Sequence, residues 1–460
     1  MARYVIRRIL LMIPTMFLVL TIAFLLSKNV PGDAASSMMI LQGISAESKD
    51  TKKEYQRQYK ALGLDKPLFY FSIQPDFYPK NINAICDETE RDQTKAFLIQ
   101  KVDHLFIKDY LSKREIFLSK LAKDSLYSHQ DSLFITPKLA FETEITALET
   151  LLYKIPVPEP TESFNALQHL KTSFNNTKNG KVDFYLPQLR WYGTDNQFHK
   201  WISNILKGNF GISIKDGRMV SEKILSALNW TLVLILLNIL VTGIIAIPAG
   251  LYAGYKENSY FDMITSFLWL LLYSIPVFWL ASLMIVYFTS ARFGAMMNIF
   301  PTPGTWFVPE GHHLLNIIKD YAGQLVLPVI CLAANDIAQL SRIVRNNVIN
   351  QKSSLYVKFA LSKGLSSFQT LFRHILPNVL IPLITVVGGR IPAGLSGALV
   401  IEVIFNIPGM GRLMFDSIFS TDWNVVFGIL IVISFFTIFF ILLTDILYAV
   451  FSPGAKKSLG

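Results

Sequence analysis

Charge is what this chain has least of. Only 17% of its 460 residues are Asp, Glu, Lys or Arg, against about 25% in typical soluble domains. A uniformly soluble protein carries more, and so does a disordered chain. Cysteine is nearly absent. Cys86 and Cys331 are the two present, which excludes a disulfide scaffold and a cysteine-based zinc site. No Gly-x-x-x-x-Gly-Lys-Ser/Thr string occurs, so a phosphate-cradling loop of that kind is missing. His104, His129, His169 and His199 have no metal-ligand spacing and read as surface or packed histidines. No Ser/His/Asp constellation stands out. No basic stripe interleaved with exposed aromatics points to nucleic acid.

What the chain does have is apolar surface. Hydrophobic residues make up 52%, with 34 Phe and seven Trp. The mean hydropathy of +0.39 is nevertheless modest for a protein lying wholly in lipid. A mixture explains both: several membrane spans plus one large water-soluble part. A spanning helix needs about 20 mostly apolar residues. Six segments qualify: 9–27, a stretch within 224–255, 263–291, 321–341, 376–405 and 423–448. Pro248, Gly250, Pro276, Pro382 and Gly388 lie inside them, as membrane helices tolerate. Arg3, Arg7 and Arg8 before the first run, and Ala34-Ala35-Ser36 after it, mimic a signal peptide. Its apolar core exceeds the usual ~7–15 residues, so a retained span is expected.

Orientation follows from Lys and Arg in short loops. With the N-terminus inside, the inner segments hold Arg3, Arg7, Arg8, Lys256, Arg342, Arg345, Lys352, Lys358, Lys363, Arg373, Lys456 and Lys457. The short outer loops hold Arg292, Lys319 and Arg412. Both termini are therefore expected in the cytoplasm. The remaining stretch, 28–223, holds 27 of the 43 basic and 24 of the 33 acidic residues, a balance of +3. The net charge of +10 is thus mostly a membrane-sidedness signal.

The 28–223 stretch is too long for a connector and must contain folded structure. Residues 90–127 place Phe97, Leu98, Val102, Leu105, Phe106, Tyr110, Leu111, Ile116, Phe117 and Leu121 at helical spacing. Residues 141–153 continue the pattern, and Pro156, Pro158 and Pro160 break it. Thr161 then opens another amphipathic stretch. The stripe reads as bundle core, because it contains no convergent polar cluster.

The segment between the fourth and fifth runs carries the most information. It reads Tyr356-Val-Lys358-Phe-Ala360-Leu-Ser-Lys363-Gly364-Leu365, then Leu371-Phe-Arg-His374-Ile-Leu376-Pro377-Asn378. No acidic residue occurs from 342 to 376. The spacing predicts a short helix over 353–361, terminated by Gly364, and a second helix from Ser366 or Ser367 into span five. A basic loop facing anionic lipid would explain the charge, but not the Ala-x-x-Lys-Gly turn followed by His-x-Leu-Pro.

These residues resemble the cytoplasmic loop of permease subunits in binding-protein-dependent ABC importers, specifically the dipeptide/oligopeptide/nickel group. Ala360, Gly364, Leu376 and Pro377 match the motif of that superfamily. Lys358 and Phe359 depart from its Glu-Ala, while Lys363 and His374 suit the peptide group. Further landmarks fall in the same order: Pro31-Gly32-Asp33, Leu62-Gly63-Leu64-Asp65-Lys66-Pro67, Gly208-Asn209-Phe210-Gly211, Ile275-Pro276-Val277-Phe278-Trp279, Glu402-Val-Ile-Phe-Asn406-Ile-Pro408-Gly409-Met-Gly411-Arg412, Thr444-Asp445 and Pro453.

The resemblance implies an all-α polytopic membrane protein with six transmembrane helices, forming half of a peptide pathway and performing no bond chemistry. A nickel importer of the same group is the alternative cargo. It implies two ATP-binding subunits, a second permease subunit and an extracytoplasmic binding protein, with ATP and Mg held by the partners and no cofactor on this chain. Tyr356, Lys358, Ala360, Lys363, Gly364, Leu365, His374, Leu376 and Pro377 would couple to the ATPase. Ala360 and Gly364 are small enough to let a partner surface approach. The expected layout is a tip and first span over 1–27, an extracytoplasmic region over 28–223, and a permease core over 224–460 with its coupling loop at 342–375. Residues about 72–188 separate landmarks that usually lie close together, and read as an inserted helical domain.

Four charges fall inside the spans: Asp336, Arg390, Glu402 and Asp445. Such charges are costly and are functional candidates. Twelve residues of straight helix, about 18 Å, separate Arg390 from Glu402, so the two cannot pair. Arg390 is expected to face the pathway or the partner subunit. Glu402, Asn406, Pro408, Gly409 and Gly411 could form a gate; Glu402 could equally brace the outer loop. An ion-driven secondary transporter would need paired intramembrane carboxylates and inverted repeats, and neither is visible. A membrane-anchored adaptor would not explain the ordered landmarks.

Overall fold

The computed structural model describes residues 2–30, 34–42, 44, 51–123, 137–155, 161–182, 186–290, 298–304 and 314–451. Pro31 to Asp33, His129, Pro156 to Pro160, Arg292, Pro453, Lys456 and Lys457 lie outside the described residues. The chain divides into two units, one of residues 1–30 and 208–460, the other of residues 31–207.

The first unit opens with helix α1 (Ala2–Asn29). The second unit then contains α2 (Ala34–Leu41), α3 (Thr51–Ala61), strand β1 (Phe71–Pro75), α4 (Glu88–Ile99), α5 (His104–Leu121), α6 (Ile145–Lys154), α7 (Glu162–Asn179), β2 (Pro187–Trp191) and α8 (Gln197–Leu206). Its core joins Phe97, Leu98, Ile107, Tyr110, Phe117, Leu148, Leu170 and Phe174. The continuous helical reading of 90–127 divides in two, because Lys101 takes a left-handed conformation at φ 61° and Asp103 caps α5 by accepting from the Leu105 amide. Of the ten stripe residues, Leu105, Phe106 and Ile116 point outward. β1 and β2 pair antiparallel, with Phe71 opposite Trp191 and Pro75 opposite Pro187. Everything from 76 to 186 thus leaves and returns through one two-stranded neck.

The first unit resumes with α9 (Val220–Tyr255), α10 (Tyr260–Ser274), α11 (Val277–Phe288), α12 (Leu314–Lys352), α13 (Leu355–Ser362), α14 (Ser367–Thr370), α15 (Leu376–Gly397), α16 (Leu399–Ile404), α17 (Met410–Phe419) and α18 (Trp423–Phe451). Among the described residues, four helices are long and apolar enough to cross a membrane, and two bent pairs raise the number to six if each is one span. The expected third span is one such pair. α10 and α11 meet at 94°, because Ile275 precedes Pro276 and is held extended at φ −82°, ψ 120°. The fifth bends by 47° between Leu380 and Leu383. Pro382 lies in that break and removes a backbone donor. α12 runs eleven residues past the expected end of span four, so the 342–375 loop begins as rigid helix.

α9 and α12 pack against each other along a close seam. A Cβ on Gly250 would lie 2.6 Å from the Ser341 carbonyl oxygen, and one on Gly254 would lie 2.6 Å from that of Arg345. Ala246, one turn before Gly250, is fully buried. Small residues at this four-residue spacing let two backbones touch. α1 and α18 are joined near one end by Arg8 and Asp445 at 3.3 Å.

Candidate functional site

The 342–375 loop folds as a helix, a turn and a second helix. α13 starts after Ser354 and buries Val357 and Ala360 against its own chain. Lys363 follows, and Gly364 adopts φ 83°, the left-handed conformation that only glycine takes without strain. A Cβ there would meet nothing within 4 Å, so the glycine is required by backbone conformation and not by crowding. Ser366 and Gln369 close a reciprocal capping box on α14. A π-helical turn, Leu371–Ile375, then leads directly into α15.

The structure separates the coupling candidates into two groups. Ala360 faces inward, so its small size serves packing within this chain. Lys358, Lys363, Gly364 and Pro377 are exposed, and Leu365, His374 and Leu376 are half-buried. Tyr356 ties the loop together. Its hydroxyl donates to Gln351 Oε1 at 2.7 Å and accepts from Asn378 Nδ2 at 3.0 Å, while Asn378 also donates to the His374 carbonyl. The open face carries large apolar groups: Leu355 is 84% exposed, Phe359 61% and Phe368 69%. The Lys363 ammonium sits 4.7 Å from the Phe359 ring centre. The resulting surface is apolar with a basic border.

Glu402 and the turn after it form a second, closed site. Glu402 is completely buried. Its Oε1 accepts from the Thr231 hydroxyl at 2.6 Å, and its Oε2 accepts from the Arg412 amide at 3.0 Å. Thr231 in turn accepts from the Met410 amide at 2.8 Å. The carboxylate therefore satisfies the amino end of α17, where a helix dipole favours negative charge. Gly409 and Gly411 lie against it, and a Cβ on Gly409 would fall 2.3 Å from the carboxyl carbon. Asn406 is held at φ 56°, and its carbonyl accepts from the Arg412 guanidinium at 2.7 Å. Pro408 is half-buried.

Arg390 lies apart from this turn and is partnered. It pairs with Asp336 and donates to Gln339, both on α12. Asn238 on α9 donates to the second Asp336 oxygen at 2.7 Å. Sequence reasoning named Asp336 and Arg390 separately but not their pairing, 54 positions apart. It also missed Asp262, which is buried and binds Arg345 through both carboxylate oxygens at 2.5 and 2.7 Å. The Ser259-x-x-Asp262 cap at the start of α10 was the available signal.

A multi-pass helical core with an exposed basic loop is the architecture of a membrane transport subunit. Residues 246–457 match the family described as binding-protein-dependent transport system inner membrane component. The chain is 34% identical over 264 residues to the oligopeptide transport system permease protein AppB of Bacillus subtilis, covering 56% of this chain and 79% of that protein. It is 30% identical over 291 residues to the peptide transport system permease protein SapB of Salmonella typhimurium, covering 60% and 90%. A putative peptide transport system permease protein of Brucella suis is 33% identical over 257 residues, covering 56% and 78%. The chain belongs to the binding-protein-dependent transport system inner membrane components. It is a multi-pass, non-catalytic permease component of an ABC transporter in the inner membrane.

Proposed function

We propose that this chain forms half of a peptide translocation pathway and is driven by separate ATP-binding subunits docked on the 355–377 loop. The observation that carries the reading is the exposed face of α13, where Leu355 and Phe359 stand open in a loop with no acidic residue. Bare apolar groups of this size mark a partner surface. Lys358 and Lys363 can meet carboxylates at its border. ATP and Mg belong to those partners, and a second permease chain and an extracytoplasmic binding protein complete the assembly. The bent pairs count as single spans, giving six, with both termini cytoplasmic and residues 28–223 extracytoplasmic. Residues 72–188 are an inserted domain. Arg390 faces the pathway. Glu402, sealed and fully bonded within the chain, braces the Asn406–Gly411 turn as a rigid outer element of the gate.

Peptide cargo rests on the relatives, which are peptide transport permeases. Uptake of labelled di- and oligopeptides by the reconstituted complex tests it, with nickel as the competing cargo. For the coupling surface, Gly364→Trp is the informative variant. Its side chain projects into open space, and its backbone strain of about 1–2 kcal/mol is local. We expect normal membrane insertion with loss of uptake and of cargo-stimulated ATPase. Full stimulated ATPase and uptake in this variant would overturn the docking assignment.

A further inference from the structure

Arg390 and Asp336 belong to a chain of polar side chains that crosses three helices. Thr242 donates to Asn238 on α9 at 3.2 Å, and Asn238 donates to Asp336 on α12 at 2.7 Å. Arg390 on α15 completes the chain by gripping Asp336 and Gln339 together. Both oxygens of Asp336 are therefore occupied. Unlike Glu402, neither charged partner is sealed. The Arg390 and Asp336 side chains remain 24% and 19% exposed. A half-open pair can exchange its partners for water far more easily than a buried one.

The two helices it joins share a buried core, to which α15 contributes Val379 and Leu383, and they differ in what holds them beyond it. α12 is locked to α9 along the Gly250 and Gly254 seam, and Ala333, Ile337 and Leu340 are buried in the same core as Ala246. α15 instead continues from the loop: α14, the π-helical turn and α15 follow one another without a gap. Arg390 lies fourteen residues beyond Leu376, past the 47° bend between Leu380 and Leu383. A displacement of the loop that passes this bend reaches α12 here. There, α15 moves relative to α12 only if Arg390 releases Asp336.

We propose that Asp336 is the positioning partner of Arg390: the pair latches α15 to α12 in the resting state and opens in each transport cycle. The proposal rests on the reading of 355–377 as the loop that receives the ATPase. Its test uses the full complex in lipid vesicles, with Asp336→Asn, Arg390→Gln, and the exchange Asp336→Arg with Arg390→Asp. ATPase activity is measured without binding protein, per assembled complex, alongside uptake per ATP consumed. Each single variant should raise the unstimulated rate by about fivefold or more, the low end of coupling between sites, and lower uptake per ATP. The exchange should bring the unstimulated rate back towards wild type. A purely structural pair would reduce assembly and leave the rate per complex unchanged, which overturns the latch. If the charge variants fail to assemble, Gln339→Ala and Asn238→Ala should raise the same rate by a smaller factor. An unchanged rate in both overturns the latch as well. Failure of Gly364→Trp to uncouple identifies an error in the docking assignment. Normal uncoupling there with wild-type unstimulated rates in the Asp336 variants identifies an error in the latch alone.

Discussion

The two units differ in how closely their helix backbones approach. Between α4, α5 and α7 the contacts are large: Phe97, Tyr110, Phe117 and Phe174 fill the interior. Along one stretch of α9 and α12 they are small, with Gly250 and Gly254 set against backbone oxygens, while Trp230 and Tyr321 meet at 5.0 Å elsewhere on the same pair. Water explains the first arrangement, since each buried aromatic removes a large apolar area from solvent. Lipid explains the second. Hydrocarbon tails solvate a leucine as well as a neighbouring helix does, so association depends on close approach and polar contacts. The polar contacts differ too. Arg114 in the second unit is buried among neutral acceptors and the Tyr110 ring, and burial pushes the Tyr110 phenol up to about 12 despite the guanidinium beside it. In the membrane unit Asp336 pairs with Arg390 and Asp262 with Arg345, whereas Glu402, like Arg114, is held by neutral partners.

Three substitutions break or sharpen this contrast. The largest effect belongs to Gly250→Leu. Its side chain has no room beside Ser341 and Val344, so α9 and α12 must separate. Size-exclusion profiles after detergent extraction should lose the assembled species, and a normal profile would refute the seam. Phe97→Ala acts on the other principle, leaving a cavity that costs about 3–5 kcal/mol. Amide exchange should rise across 88–121 and stay unchanged in α9 and α12. The smallest effect is expected from Leu105→Ala, on the outer face of α5 at 66% exposure. It should change stability by less than about 0.5 kcal/mol; a loss comparable to that of Phe97→Ala would mean the helix is turned differently.

Much of this was legible in the chain itself, for local reasons. Apolar runs mark helices that cross lipid. Gly364 announces a helix end because few other residues take its conformation, and Ser366 announces the next start. Pro276 is visible as an interruption, although the 94° turn it produces depends on where α10 and α11 pack. What stayed hidden was pairing at a distance. Thr231 finds Glu402 across 171 positions, and nothing near either residue encodes the meeting. The Ala246, Gly250 and Gly254 spacing was present to be read, but small residues announce a close approach without naming the surface approached. Ala360 illustrates the same limit: its size suited a partner, and the fold uses it for its own core.

The two-stranded neck has an evolutionary consequence. Residues 75 and 187 stand opposite each other, at a spacing that a tight hairpin turn bridges. The helical part of the second unit is therefore a cassette whose two ends are already side by side. Its length never enters the path between the first and second spans. A lineage could acquire, exchange or discard such a cassette through one short ribbon, leaving the threading of every span untouched.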